Sequence, residues 1–290
     1  MIIGQITDLH IGFDGQDKPC ANMQRLHHVL DSLRSFRRGP DVLLLTGDLV
    51  ESGEQWAYEK LKDALTSLHI PAFFALGNHD NRETFAEVFG DANFNDGFLQ
   101  YVIEDYPVRI IVLDSLKPGR HGGSFCEQRA DWLRARLSEQ PDRPTLIALH
   151  HPPIVTHIGW MTAKPGANWT RRLSDVVSDF PNVIQIISGH IHRTITQPFG
   201  GSLVSVANSV APQVKLEFAD IDADVPDGRI LLTEDLPGYC LHYWDGNTLT
   251  SHTGTSPEGR IIARFDEKHS SVVHLTTDAG GQNPKIMGGR

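Results

Sequence analysis

Cysteine is scarce in this chain: three among 290 residues, Cys20, Cys126 and Cys240, odd in number, far apart and never in a CxxC pair. That excludes a disulfide framework or a zinc ribbon and reads as free thiols in a reducing compartment. Long apolar runs are missing too, and nothing approaches the ~20 residues a membrane-spanning helix needs. Positive charge is in the minority, with 26 Lys and Arg against 36 Asp and Glu and a formal charge of −10. A protein that grips nucleic acid or an anionic membrane with its whole surface carries the opposite balance, so stable nucleic-acid binding is not expected. No basic leader precedes the strand-like Ile2–Thr7, and no internal repeat, low-complexity tract or linker breaks the chain. The expectation is a cytoplasmic protein with one domain over residues 1–265 and a weakly apolar tail over 266–290.

What remains is ordinary for a globular enzyme: 40% hydrophobic residues, on a chain long enough to bury roughly 75% of its unfolded surface. Five short runs, Ile2–Thr7, Asp41–Thr46, Pro71–Leu76, Thr145–Leu149 and Val183–Ser188, are too short for helices and too continuously apolar for one-faced strands. They read as strands buried on both sides. Between them Met23, Leu26, Leu30, Leu33 and Phe36 recur at spacings of three and four, as do Tyr58, Leu61, Leu65 and Leu68. Trp132, Leu133 and Leu137 mark a third amphipathic helix, and Leu173, Val176, Val177 and Phe180 a fourth. The alternation predicts an α/β layered fold. Phe98–Glu104 and Val108–Leu113 look like paired strands. From Thr194 onward the pattern turns strand-rich, through Leu203–Val206, Gly228–Glu234, Cys240–Trp244 and Thr248–His252, which predicts a second sheet packed on the first.

The 15 histidines depart from the ordinary. Each buried strand runs directly into residues of metal-ligating type: Asp8-Leu9-His10, Gly47-Asp48, Gly77-Asn78-His79-Asp80, His150-His151-Pro152-Pro153 and Gly189-His190-Ile191-His192. In open α/β sheets the loops at the carboxyl ends of the strands converge, so five polar clusters in five such loops predict one common site. Carboxylate, imidazole and amide oxygen together suit Mn, Fe, Co or Zn better than Ca or Mg, which prefer oxygen throughout. Asp8, His10, Asp48, Asn78, His150, His190 and His192 make seven ligands, too many for one ion. Two divalent ions sharing a bridging carboxylate, ~3.5–4 Å apart, would use them all.

These five blocks, in this order, resemble the calcineurin-like metallophosphoesterase superfamily, and the likeness spans Asp8 to His192. The Leu113-Asp114-Ser115 strand end and the Leu236-Pro237-Gly238-Tyr239 segment make the chain similar to bacterial class III cyclic-nucleotide phosphodiesterases and related glycerophosphodiesterases. The resemblance implies a four-layer αββα sandwich with two packed mixed sheets. It implies that Asp8, His10, Asp48 and His192 hold one metal and Asp48, Asn78, His150 and His190 the other, with Asp48 bridging. His79 corresponds to a catalytic histidine beside the phosphate or leaving group, oriented by Asp80; the alternative is that it buttresses Asn78.

Substrate selection falls to loops outside the ligand set, with His151, Trp160, Met161 and Trp169 as candidate pocket walls. The tryptophans either stack a base or anchor a cap or a subunit contact. Stretches near 156–170 and 212–238 are candidate cap or dimerisation elements, leaving a homodimer or higher homo-oligomer open. The implied activity is hydrolysis of a small phosphodiester by a metal-activated water, first of all a 3′,5′-cyclic nucleotide such as cAMP. A glycerophosphodiester or a broad range of diesters is the alternative substrate. A non-catalytic scaffold with the same fold is the rival of another class.

Overall fold

Val, Ile and Leu dominate the five runs expected as strands, and each of them is a strand in the computed structural model, whose described residues are 1–267 and Val273. The tail expected at 266–290 lies outside the described residues apart from Asp266, Glu267 and Val273. The chain divides into two units, Met1–Pro257 and Glu258–Arg290. In order, the first unit holds β1 Ile2–Ile6, α1 Ala21–Ser35, β2 Val42–Thr46, α2 Gln55–Thr66, β3 Ala72–Ala75, α3 Arg82–Phe89, β4 Phe94–Asn95, β5 Phe98–Leu99, β6 Tyr101–Ile103 and β7 Arg109–Val112. There follow α4 Glu127–Glu139, β8 Thr145–Ala148, α5 Asn168–Ser178, β9 Val183–Ser188, β10 Ile195–Phe199, β11 Ser202–Val206, β12 Gln213–Val214, β13 Leu232–Thr233, β14 Gly238–Trp244 and β15 Leu249–Thr255. None of the described helices is long and apolar enough to cross a membrane.

Two mixed sheets carry the fold, ordered β15-β14-β1-β2-β3 and β10-β11-β9-β8-β7-β6. In the first, β1, β2 and β3 run parallel, and β14 pairs antiparallel with β1 and with β15. In the second, β7, β8, β9 and β11 run parallel, with β6 and β10 antiparallel at the edges. Apart from the short β12–β13 ribbon, the strands after Thr194 therefore join these two sheets and do not build the second one by themselves, which corrects the sequence expectation. β1 and β9 each have one side left open by their parallel neighbours, and β14 and β11 satisfy those backbone groups. Two further expectations shrink. Phe98–Leu99 forms a separate ribbon with Phe94–Asn95, and of Gly228–Glu234 only Leu232–Thr233 finds a partner, at Gln213–Val214.

Alternation along the strands sets the layers. Ile110, Val112, Leu146, Ala148 and Ile187 pack with Ile3, Ile6 and Leu43 in one core, whereas Ile111, Ile147 and Ile186 meet Leu133 and Leu137 of α4 and Leu173, Val176 and Val177 of α5 in another. The first sheet is covered by α1 and α2 through Leu26, Leu30, Leu33, Tyr58 and Leu61. The order is helices, sheet, sheet, helices: the four-layer sandwich. Helix α3 was not expected; its eight residues carry too few apolar positions to show a period.

Candidate metal centre

Strands β1, β2 and β3 of one sheet and β8 and β9 of the other end at the same place, and their loops are stitched together. Asp8 N donates to Gly47 O at 3.0 Å, Leu9 N and His10 N to Asp48 O at 2.8 and 3.0 Å, and Gly189 N to His150 O at 3.0 Å. Seven described non-glycine residues have a positive φ, and five of them are expected ligands: Asp8, His10, Asp48, His190 and His192. That conformation costs a residue with a Cβ roughly 1–2 kcal/mol, and its concentration in one place marks a site whose geometry is held against strain. Close approach also dictates glycine. A Cβ on Gly77 would overlap Asp48 Oδ1 and His150 Nε2, and one on Gly189 would overlap Thr7 Oγ1 and Asp8 Oδ2.

All seven expected ligands gather around Asp48. On one side His10 Nε2 lies 3.7 Å from Asp48 Oδ2 and 3.2 Å from His192 Nε2, which is 3.4 Å from Asp8 Oδ1. On the other, His150 Nε2 lies 3.2 Å from the same Asp48 oxygen, and the ring of His190 is centred 5.1 Å from that of His150. Asn78 closes this side through the neighbouring His121, whose Nδ1 accepts from Asn78 Nδ2 at 3.2 Å.

The imidazoles are set for coordination. His10 Nδ1 donates to Glu51 Oε2 at 2.7 Å, His192 Nδ1 to Pro212 O at 2.7 Å and His150 Nδ1 to Thr46 O at 2.8 Å. Each hydrogen bond engages Nδ1 and turns Nε2 toward the site as the nitrogen free to meet a cation. The Nε2 atoms of His10 and His192 then face each other at 3.2 Å, close enough to share one proton or one cation. Asn78 Oδ1, His150 Nε2 and His190 Nδ1 are buried without a hydrogen-bond partner, a cost of about 1–3 kcal/mol each that bound metal removes. The residues fit divalent metal, with groups of His and Asp close enough to hold it on either side of Asp48.

Electrostatics agree with the carboxylates staying ionised. Burial works to raise Asp8 and Asp48, yet facing imidazoles, His192 at Asp8 and His150 at Asp48, hold both below the ordinary carboxylate value. Burial, with His151 and His150 adding to it, keeps His190 well below the ordinary imidazole value and therefore neutral. His151 lies beside His150 and His190, with both ring nitrogens engaged. Its Nδ1 meets Ser115 Oγ at 2.8 Å and its Nε2 His121 O at 3.1 Å, and burial pushes it down to about 3, so it is a neutral wall of the site.

His79 reaches the cleft with its Nδ1 donating to Glu51 O at 2.7 Å. Its backbone N donates to Asp48 Oδ1 at 2.9 Å. Asp80 does not orient it, which corrects the expectation. Its buried carboxylate instead accepts from Gly77 N at 2.8 Å, Leu49 N at 3.1 Å, Val50 N at 3.3 Å and Tyr58 Oη at 3.0 Å. Asp80 thereby ties the third loop to the second, because four donors converge where the loops cross. Trp160 and Met161 line the cleft over the ligands, and Trp169 lines an adjoining cavity. Two cleft residues were missed. Glu51 belongs to no motif. His121 follows β7, which pairs antiparallel with β6 as the sequence reading expected; its other neighbour is the parallel β8, so β7 sends a sixth loop to the site, and no block at its end signalled this.

The sequence model of the calcineurin-like phosphoesterase family matches residues 1–194. A protein of Arcobacter nitrofigilis named a probable glycerophosphodiester phosphodiesterase is 31% identical over 260 residues, 87% of this chain and 92% of its own length. A Nostoc protein named a 3′,5′-cyclic-nucleotide phosphodiesterase is 31% identical over 254 residues, 86% of this chain and 90% of its own. Among solved structures, a dimetal phosphatase from Danio rerio superposes with a TM-score of 0.61 at 14% identity, over 88% of this chain and 98% of that one, a likeness of fold alone. Because the family match runs through all five loops that meet at Asp48, and such relatives extend it over most of the chain, the protein belongs to the calcineurin-like phosphoesterase family.

Proposed function

We propose that this chain is a metal-dependent phosphodiester hydrolase with a small substrate, first of all a 3′,5′-cyclic nucleotide such as cAMP. The observation that carries the reading is the set of buried, unpaired atoms Asn78 Oδ1, His150 Nε2 and His190 Nδ1 on one side of Asp48, beside a cleft of about 200 Å³ that His10, Asp48, His190 and His192 line. Apolar groups, Phe13, Trp160, Met161, Val214 and Leu232, line its remaining walls. A diester suits such walls, since it carries an organic substituent on each side of phosphorus. The names of the Nostoc and Arcobacter relatives support a diester, and the second of them favours a glycerophosphodiester as the alternative.

Bound divalent ions would polarise the phosphoryl oxygens and lower the pKa of the attacking water. The hydrolysis itself joins the water oxygen to phosphorus, breaks one bond from phosphorus to an alcohol oxygen and delivers a proton to that alcohol. We assign the supply of that proton to His79, which lines the cleft. Its Nδ1 is committed to Glu51 O, so Nε2 is the nitrogen that meets the phosphoryl or leaving oxygen. Glu51 holds both His79 and His10 in register, and Trp160 and Met161 exclude water from the apolar side.

The test is a kinetic panel on manganese-loaded protein with cAMP, 2′,3′-cyclic AMP, glycerophosphoethanolamine and p-nitrophenyl phosphate. A diester is expected to turn over fastest, and fastest hydrolysis of the monoester would end the diesterase reading. His79→Ala is expected to keep its metal and to lose about 10²–10⁴-fold in kcat; loss of metal instead would make His79 a buttress of Asn78. A preparation that binds neither Mn nor Zn would revive the scaffold.

A further inference from the structure

A second cavity of about 530 Å³ opens beside the cleft and shares His121, Trp160 and His190 with it. Its charged lining is of one sign: Lys117, Arg120 and Lys164, without a single carboxylate. This is notable in a chain with 36 acidic and 26 basic residues. Lys117 and Arg120 come from the loop after β7 and Lys164 from the segment before α5, so the fold, not a local basic run, assembles the three. No ion pair engages any of them among the described residues. Trp160 and Trp169 line the same space, and Trp169 is half-buried against the Gly123 backbone. The volume is that of a site for a nucleotide-sized group.

We propose that this cavity is a substrate subsite for a nucleotide bearing a phosphate of its own, so that the preferred substrates are dinucleotides whose scissile diester sits at Asp48. The second phosphate meets Lys117, Arg120 and Lys164, and the base lies against the tryptophans. The proposal rests on the diester hydrolase reading above and, within it, puts linear dinucleotides ahead of the cyclic nucleotide.

A matched pair of probes isolates the second phosphate: the diadenylate ApA, and pApA, which adds only a 5′-phosphate. With manganese-loaded wild-type protein, kcat/KM for pApA is expected to exceed that for ApA by about tenfold, the scale of one charge-assisted contact. The ratio is expected to fall toward one in Lys117→Ala/Arg120→Ala/Lys164→Ala, with thermal melting reporting its fold. Should that variant not fold, the single change Lys164→Glu is expected to lower the ratio. Equal rates on the two probes, a ratio that survives the substitutions, or turnover of cAMP with neither probe accepted would overturn the subsite while leaving the diesterase reading standing. No turnover of ApA, pApA, cAMP or bis(p-nitrophenyl) phosphate would overturn that reading itself.

Discussion

Glu51 illustrates how a side chain outside any motif governs the site. Its carboxylate accepts from His10 Nδ1 and its carbonyl from His79 Nδ1, both at 2.7 Å, so one residue aligns an expected ligand and the proposed proton donor. Outer partners of metal-bound histidines are worth about 10–100-fold in affinity. Glu51→Ala is therefore expected to weaken manganese binding by that factor, read by titration with the metal; an unchanged affinity would show that His10 holds its tautomer without help. The expected ligands could be proposed from sequence because five such clusters of aspartate, asparagine and histidine follow five apolar strands, and the chemistry of each side chain is local. Glu51 was not, since a glutamate three residues past Asp48 looks like any solvated acid until His10 is seen beside it. His151 was legible only as a pocket wall, and the structure supplies the reason: both ring nitrogens are already bonded.

At the scale of elements, the turn between β3 and α3 carries Asn78 and His79 and is clamped from both ends. Asp80 gathers donors from Gly77, Leu49, Val50 and Tyr58, and burial together with the charge of Asp48 raises it to about 7. One residue on, Asn81 caps α3, accepting from Thr84 N at 3.0 Å. Phe85 and Phe89 of α3 pack against Tyr58 and Phe74, anchoring the far end of the turn. Asn81→Ala is expected to cost about 1 kcal/mol of stability, measured by denaturant melting. A variant as stable as the wild type would place the anchoring in the aromatic cluster alone. Four helices could be read from spacings of three and four. The eight-residue α3 could not, because its order comes from the cap and the Phe–Tyr contacts, which a periodic pattern does not contain.

At the scale of the whole first unit, a polar seam crosses between the two sheets. Gln5 Nε2 donates to Ser188 O at 3.0 Å, His242 Nε2 meets Gln5 Oε1 at 3.1 Å and its Nδ1 meets Ser251 Oγ at 2.7 Å, and Gln185 Nε2 reaches Ser251 Oγ at 3.0 Å. Burial, aided by His252, pushes His242 down to about 4. The unfolded chain takes up a proton near the ordinary value of about 6.5 while the folded chain does not. Stability from this group is thus complete above that value and lost as pH falls toward 4, up to about 3 kcal/mol. His242→Gln is expected to flatten that loss, so the gap in melting temperature between variant and wild type changes between pH 7.5 and 5; parallel curves would mean His242 titrates normally.

Residue types and their spacing were sufficient for the five apolar strands, four of the helices and the proposal of seven ligands, because burial of a short Val, Ile or Leu run and the coordinating power of a side chain are local properties. Assignment of those strands to two facing sheets was beyond local pattern: it depends on which backbone edge stays unpaired, and β14 reaches β1 across more than two hundred residues of chain. The same holds for the left-handed backbone of Asp8, His10, Asp48, His190 and His192, the proton positions on the imidazoles, and the company of Lys117, Arg120 and Lys164. Each is set by a partner far away in sequence, and such partners exist only once the layers have closed.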